Sequence, residues 1–194
     1  IIPFHNGMRS QLWKRNCVAI GLAGGFLEPL ESTAIHMAIR GVENFLELFP
    51  NLDDDTHEWP ALAAEFNRRL RLEYEEIRDF IILHYCTSKR ADSEFWRHCQ
   101  SRPVPDSLAA RIELFRARAE LRAADGSLFG RSDWLAVLTG MGVIPAAWHP
   151  FIDMGDFTAI QQAMLEKRLL LRNAVQQLPA YDRFLSDTWG VTPG

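Results

Sequence analysis

The residues best suited to chemistry concentrate in one stretch, Asn16 to Ile35, which reads N-C-V-A-I-G-L-A-G-G-F-L-E-P-L-E-S-T-A-I. The short apolar run Cys17–Ile20 is β-favouring and stops at Gly21, which predicts a buried strand. Gly21, Gly24 and Gly25 predict a flexible turn, where backbone can approach a ligand or take positive φ. Ser32 or Thr33 can then cap a helix. A strand, a turn and a helix start in succession present backbone N–H groups and the positive end of a helix dipole to an anion. A halide, a phosphate or a carboxylate would suit the amides near Thr33 and Ala34. Two carboxylates, Glu28 and Glu31, stand at the same spot with Pro29 between them. From spacing alone, compensation of the helix dipole is the simpler reading of both.

The elements that must position this stretch are helical. Ile35, Ile39, Val42, Leu46 and Phe49 recur at spacings of three and four and predict a helix with that stripe buried, ended by Pro50. A polar, acidic loop from Asn51 to Glu58 leads to Trp59-Pro60, which opens a long helix over about 61–86. Its predicted buried face is Leu62, Phe66, Leu70, Ile77, Phe80, Ile81 and Tyr85, and its charges Arg68, Arg69, Arg71, Glu75 and Glu76 read as a solvated face. Asp92-Ser93 opens a short helix carrying Phe95 and Trp96. Asp106 or Ser107 caps another, with Leu108, Ile112 and Phe115 inward. After a glycine-containing loop around 123–131, Ser132 caps a short helix to Leu138, stopped by Gly140 and Gly142. Residues 143–155 read as irregular, a helix covers about 157–178, and Pro179 opens a last one ending near Trp189. One strand against so many helices is lopsided, because a lone strand needs partners. The reading is a helical C-terminal part whose first strand belongs to a sheet lying mostly upstream.

Composition narrows the classes. The 194 residues are 47% hydrophobic, 24% charged and 11% aromatic, which is globular and excludes a disordered or collagenous chain. A net charge of −4 argues against a nucleic-acid binder held by phosphate contacts. Cys17, Cys86 and Cys99 form neither a disulfide framework nor a CxxC pair, and buried free thiols in a reducing cytoplasm are the plain reading. No apolar run reaches membrane-spanning length, so no membrane association is expected. The chain opens at Ile1 without a visible signal peptide and reads as cut from something longer. His5, His57, His84, His98 and His149 show no i, i+4 pairing with a carboxylate, so no metal site is expected.

The segment N-C-V-A-I-G-L-A-x-G-F-L-E-P-L-E-S-T resembles the C-terminal signature of the flavin-dependent tryptophan halogenase family. Fainter resemblance continues through Gly41–Pro50, Tyr74-Glu75-Glu76-Ile77-Arg78-Asp79-Phe80 with His84-Tyr85, Phe95-Trp96-Arg97 and Pro105-Asp106-Ser107-Leu108. It covers nearly the whole chain, with high specificity only in the first segment. The resemblance implies the C-terminal helical part of an α/β FAD-binding, monooxygenase-like flavoprotein. Residues 1–34 would complete the flavin and halide site, and residues 35–194 would form a helical, substrate-side region. It implies FADH2 from a separate flavin reductase, oxygen, and chloride or bromide, converted to hypohalous acid that passes through a tunnel to a lysine beside an electron-rich arene. It also implies that Glu31 faces that lysine, orienting the halogenating species or taking the proton from the arenium ion, with Ser32 in support. Thr33 and Ala34 would hold the halide through backbone N–H groups. Ala34 stands where well-known members have Gly and supplies the same amide if its φ is negative. Leu22 and Ile35 fall where the family's backbone touches the flavin, and His36 is either a flavin neighbour or a satisfied helix histidine.

The departures bear on the same reading. The family's dinucleotide-binding glycines, its W-x-W-x-I-P segment and its lysine lie upstream of this signature, so this portion by itself is expected to be inactive. The E-x-x-x-F-W cluster of tryptophan-specific members is absent ahead of the Trp134 helix, leaving Phe129, Trp134 and Trp148 as aromatic candidates for a substrate wall. The substrate stays open between free tryptophan, a bare indole, and a larger indolic or phenolic compound. The competing readings are a hydroxylating flavin monooxygenase and a noncatalytic helical binding module. A homodimer and a cytoplasmic location complete the expectations.

Overall fold

The computed structural model describes residues 6–51, 58–122 and 127–190. His5, His57 and the middle of the acidic loop lie outside them, as do residues 123–126 of the glycine-containing loop. The described chain is mainly helical: α1 (Ala34–Glu47), α2 (Trp59–Cys86), α3 (Glu94–Ser101), α4 (Asp106–Arg118), α5 (Arg131–Gly140), α6 (Phe157–Gln177) and α7 (Tyr181–Trp189). Two small antiparallel ladders precede them. β1 (Gly7–Met8) pairs with β4 (Gly25–Phe26), and β2 (Trp13–Lys14) pairs with β3 (Cys17–Val18).

The expected buried strand at Cys17–Ile20 is corrected here. Only Cys17–Val18 is extended in a ladder, Cys17 is exposed, and its partner is the neighbouring Trp13–Lys14. The buried residue of this hairpin is Trp13, whose ring meets Phe45 at 5.3 Å and Phe66 at 5.7 Å, both edge-on. Asn67 of α2 fixes the hairpin. Its Oδ1 accepts the N–H groups of Leu12 (2.7 Å) and Trp13 (2.8 Å), and its Nδ2 donates to the Trp13 carbonyl at 2.9 Å. Buried backbone groups outside a regular ladder need such partners.

Helix α1 follows the predicted span but turns a different face inward. Its buried residues are Met37, Gly41 and Asn44, and Ile35, Ile39, Val42, Leu46 and Phe49 are all exposed. Gly41 explains part of this orientation. A Cβ there would stand 3.0 Å from Ile20 Cγ2, so the helix approaches the hairpin segment through its glycine.

Helix α2 is the axis of the core, with Phe66, Leu70, Tyr74, Ile77, Phe80, Ile81 and Leu83 buried. Leu108, Ile112 and Phe115 of α4 and Trp134 and Leu138 of α5 complete it. The helix starts differ in detail from expectation. Ser93 caps α3 through its side chain, but α4 starts at Pro105 with no side-chain cap, because the Ser107 hydroxyl donates to Asp79 of α2. Gly130, not Ser132, caps α5, with the Asp133 carboxylate accepting the Gly130 N–H at 2.8 Å. The thiols also differ from expectation: Cys86 and Cys99 are half-buried and Cys17 is exposed.

Residues 1–148 and 149–194 form two compact units. In the second, a 3-10 turn (Pro150–Met154) leads into α6, capped by the Asp156 side chain, and Gly190 closes α7 at φ +63°. No helix among the described residues is long and apolar enough to cross a membrane.

Candidate functional site

The glycine turn folds back on α1. Gly21 takes φ +58° at the head of a 3-10 turn (Gly21–Ala23), and a Cβ there would press on Ala38 at 3.2 Å, so glycine is required both by conformation and by contact. A second 3-10 turn, Pro29–Glu31, ends in Ser32, a non-glycine residue in the left-handed region at φ 54°. That conformation costs about 1–3 kcal/mol. It swings the chain from the glutamate into Thr33, the N-cap of α1, whose side chain is not used as a cap. The first amides of a helix have no intrahelical acceptor. Ala34 is helical with negative φ, so its N–H is oriented as a glycine's would be.

Thr33 is 4% exposed. With Ala34, Gly21, Leu22, Gly25, Phe26, Leu27, Met37 and Tyr74 it lines a cavity of about 10 Å³. That is room for one water-sized group. Tyr74, unmarked as a site residue by sequence reasoning, closes this cavity. Its hydroxyl lies 3.5 Å from the carbonyls of Gly21 and Gly25, and burial raises its pKa. Leu22 and Ile35 are exposed apolar side chains, 68% and 75%. Leu22, which shares the cavity lining with Thr33 and Ala34, and Ile35, in the first turn of α1, thus leave apolar surface beside the helix start.

Glu28 and Glu31 meet the end of α2. Glu31 Oε1 lies 3.0 Å from Nε2 of His84, while Glu28, whose Oε2 is buried without a hydrogen-bond partner, stands near the next residue, Tyr85. Burial, and then Glu28, raises the Tyr85 pKa. The other ring nitrogen of His84, Nδ1, is 2.8 Å from the Phe80 carbonyl. His84 is the residue that sequence reasoning missed. Its carboxylate partner is 53 positions away on another element, and only its place in the His84-Tyr85 fragment marked it.

The aromatic candidates divide. Phe129, 9% exposed, stacks on Phe80 at 3.9 Å. Trp134, 1% exposed, meets Phe80 edge-on at 4.9 Å and carries the Arg111 guanidinium over its ring at 3.9 Å. Both are core residues in this unit, and Phe80 is in turn edge-on to His84 at 5.0 Å. Trp148 is 54% exposed. His36 is tied to Glu73 at 2.6 Å, beside Arg40, so it is a satisfied helix histidine.

The charged face of α2 is only partly solvated, against expectation. Glu76 accepts from Ser127 at 2.6 Å and pairs with Arg111, while Arg69 links Glu65 to Glu47. Among the described residues no cluster of three or more His, Cys, Asp or Glu side chains could hold a metal ion.

The family model described as "Tryptophan halogenase" matches residues 1–156. The 7-chloro-L-tryptophan 6-halogenase KtzR of Kutzneria sp. is 39% identical over 189 residues, covering 95% of this chain and 36% of that protein. Tryptophan 6-halogenase SttH of Streptomyces toxytricini is 34% identical, covering 92% of this chain and 34% of that protein. BrvH, a flavin-dependent halogenase from Brevundimonas sp. BAL3, superposes with a TM-score of 0.85 at 39% identity, over 99% of this chain and 38% of that one. The chain thus spans about a third of the length of the curated relatives it matches.

Proposed function

Because the chain belongs to the tryptophan halogenase family, we propose that it forms the glutamate- and halide-bearing side of a flavin-dependent halogenase active site. The observation that carries this reading is the joint placement of Glu31 and the uncapped start of α1, two residues apart, next to the small cavity lined by Leu22, Thr33 and Ala34. Residues 1–34 take the flavin and halide role, and residues 35–194 the substrate-side role. Leu22 and Ile35 would hold FAD, which when bound and reduced would supply the two electrons that bring oxygen to the peroxide level, the oxidant that takes two electrons from chloride or bromide to give hypohalous acid.

The chain's own residues do the rest. The amides of Thr33 and Ala34, at the positive end of α1, attract and fix the halide. The carboxylate of Glu31 orients the halogenating species and accepts the proton released from the arene. As the C–H bond breaks, its electron pair restores the aromatic ring. Ser32 supports Glu31, and its strained conformation sets the direction in which the glutamate leaves the turn. Of the aromatic candidates, Trp148 is exposed enough to contact an indole-like substrate. Phe129 and Trp134 act one layer back, through Phe80. Such a site works by positioning and by excluding water from a reactive oxidant. The lysine, the FADH2-supplying reductase, a homodimeric state and a cytoplasmic location belong to this proposal for the whole enzyme.

The test uses the full-length protein with FADH2, oxygen and bromide, and indole and tryptophan as substrates. Glu31→Gln lowers halogenation by about 10²–10⁴-fold, the scale of a lost general base, and leaves flavin binding intact. Full activity in that variant overturns the reading. A hydroxylated product that forms equally well without halide would make the enzyme a hydroxylating monooxygenase.

A further inference from the structure

The two carboxylates of the Glu28–Glu31 segment face two consecutive residues at the end of α2, Glu31 at 3.0 Å from His84 and Glu28 near Tyr85. The His84 contacts determine where its protons are. A carbonyl oxygen only accepts, so the 2.8 Å contact to Phe80 places a proton on Nδ1. In a neutral ring Nε2 would then carry a lone pair, facing the lone pairs of Glu31 Oε1 at 3.0 Å. The pair is an ion pair whenever the ring carries its second proton.

The ring is also locked in place. Phe80 stands edge-on to it at 5.0 Å and is itself stacked on Phe129 at 3.9 Å. The next residue, Tyr85, packs face-on with Trp96 at 5.9 Å, which fixes the end of α2 that carries His84. Second partners of this kind fix tautomer and orientation in catalytic groups generally.

We infer that His84 is the positioning residue of Glu31: it occupies Oε1 and leaves Oε2 as the oxygen turned to the reaction. The inference rests on the reading of Glu31 as the base. Phe129 and Trp134 serve the same end by holding Phe80 against the ring.

The test uses full-length, flavin-loaded protein labelled with ¹⁵N-histidine, His84 being assigned by its loss in His84→Leu. In the wild type Nδ1 reads as protonated. On Glu31→Gln the Nε2 resonance moves while Nδ1 does not. In turnover, His84→Leu lowers kcat about tenfold with KM for the arene and flavin binding within twofold, the scale of one lost charge-assisted hydrogen bond. His84→Gln, whose amide can still donate to the carboxylate, recovers part of that loss. An Nε2 resonance indifferent to Glu31→Gln overturns the inference. So does a fully active His84→Leu protein in which Glu31→Gln is inactive. Full activity of Glu31→Gln would overturn the base reading, which the NMR result does not depend on.

Discussion

Helices α2 and α6 are both long and both carry apolar residues at helical spacing, and they use them in opposite ways. In α2, Phe66, Leu70, Ile77, Phe80 and Leu83 are buried among α4, α5 and the hairpin. In α6, Ile160, Met164, Leu165, Leu169, Leu170 and Val175 are exposed, and no residue of that helix is buried. Helix α1 lies between the two cases, with one stripe buried and the other bare. The difference teaches that periodicity reports a helix and an apolar face, but not how far that face is buried. It also accounts for where the polar site lies. His84 and Tyr85 stand at the end of the covered helix, where Phe80 and Leu83 leave little freedom to move. Groups that must hold a carboxylate within a fraction of an ångström need that packed support.

The sharpest way to break this comparison is a pair of truncations read by urea unfolding. Trp134→Ala removes a large, fully buried side chain and costs about 3–5 kcal/mol. Leu169→Ala, at an exposed position, stays within about 0.5 kcal/mol. Comparable losses at the two sites would mean that α6 is covered as thoroughly as α2.

A middle-sized effect is expected where the hairpin meets α2. Asn67→Ala strips three hydrogen bonds from Leu12 and Trp13 and leaves buried amides unpaired, costing about 1–3 kcal/mol. Hydrogen exchange at the Leu12 and Trp13 amides checks it, since loss of the bonds speeds exchange there first. Ile39→Ser on the bare stripe of α1 is the control and leaves both exchange rates unchanged.

The smallest effect lies at the solvated end of α2. Arg68, and then Arg69, hold Glu65 at about 2, below its ordinary 4.5. A carboxylate whose pKa is lowered by folding contributes stability above its unfolded value and loses it as pH falls through the folded value. Glu65→Gln therefore lowers stability slightly near neutral pH, flattens the acid limb between about pH 4.5 and pH 2, and leaves stability below that range unchanged. Superimposable acid limbs would show these exposed pairs to be without effect.

Much of the helical order was legible because each helix announces itself locally. Pro60 and the run to Tyr85 marked α2, Leu108, Ile112 and Phe115 marked the inner face of α4, and the bounds of α6 and α7 fell close to the expected ones. The site segment was legible in part, since the dense glycine and E-P-L-E-S-T pattern is itself a local feature. The inner face of α1 was not. Its most apolar stripe is the bare one, and the buried face turns on a glycine that lets Ile20 approach. Nor was the strand at Cys17, whose pairing depends on an asparagine 50 residues downstream.

By itself the sequence determined the family and the succession of helices, and it singled out Glu31–Ala34 as the candidate place for an anion beside a carboxylate, because each of these is written in neighbouring residues. Only the tertiary structure decided that His84 meets Glu31, and that Phe129 and Trp134 stand behind it rather than at the surface. Those contacts join residues tens of positions apart, and they arise from how helices pack, which no local pattern encodes.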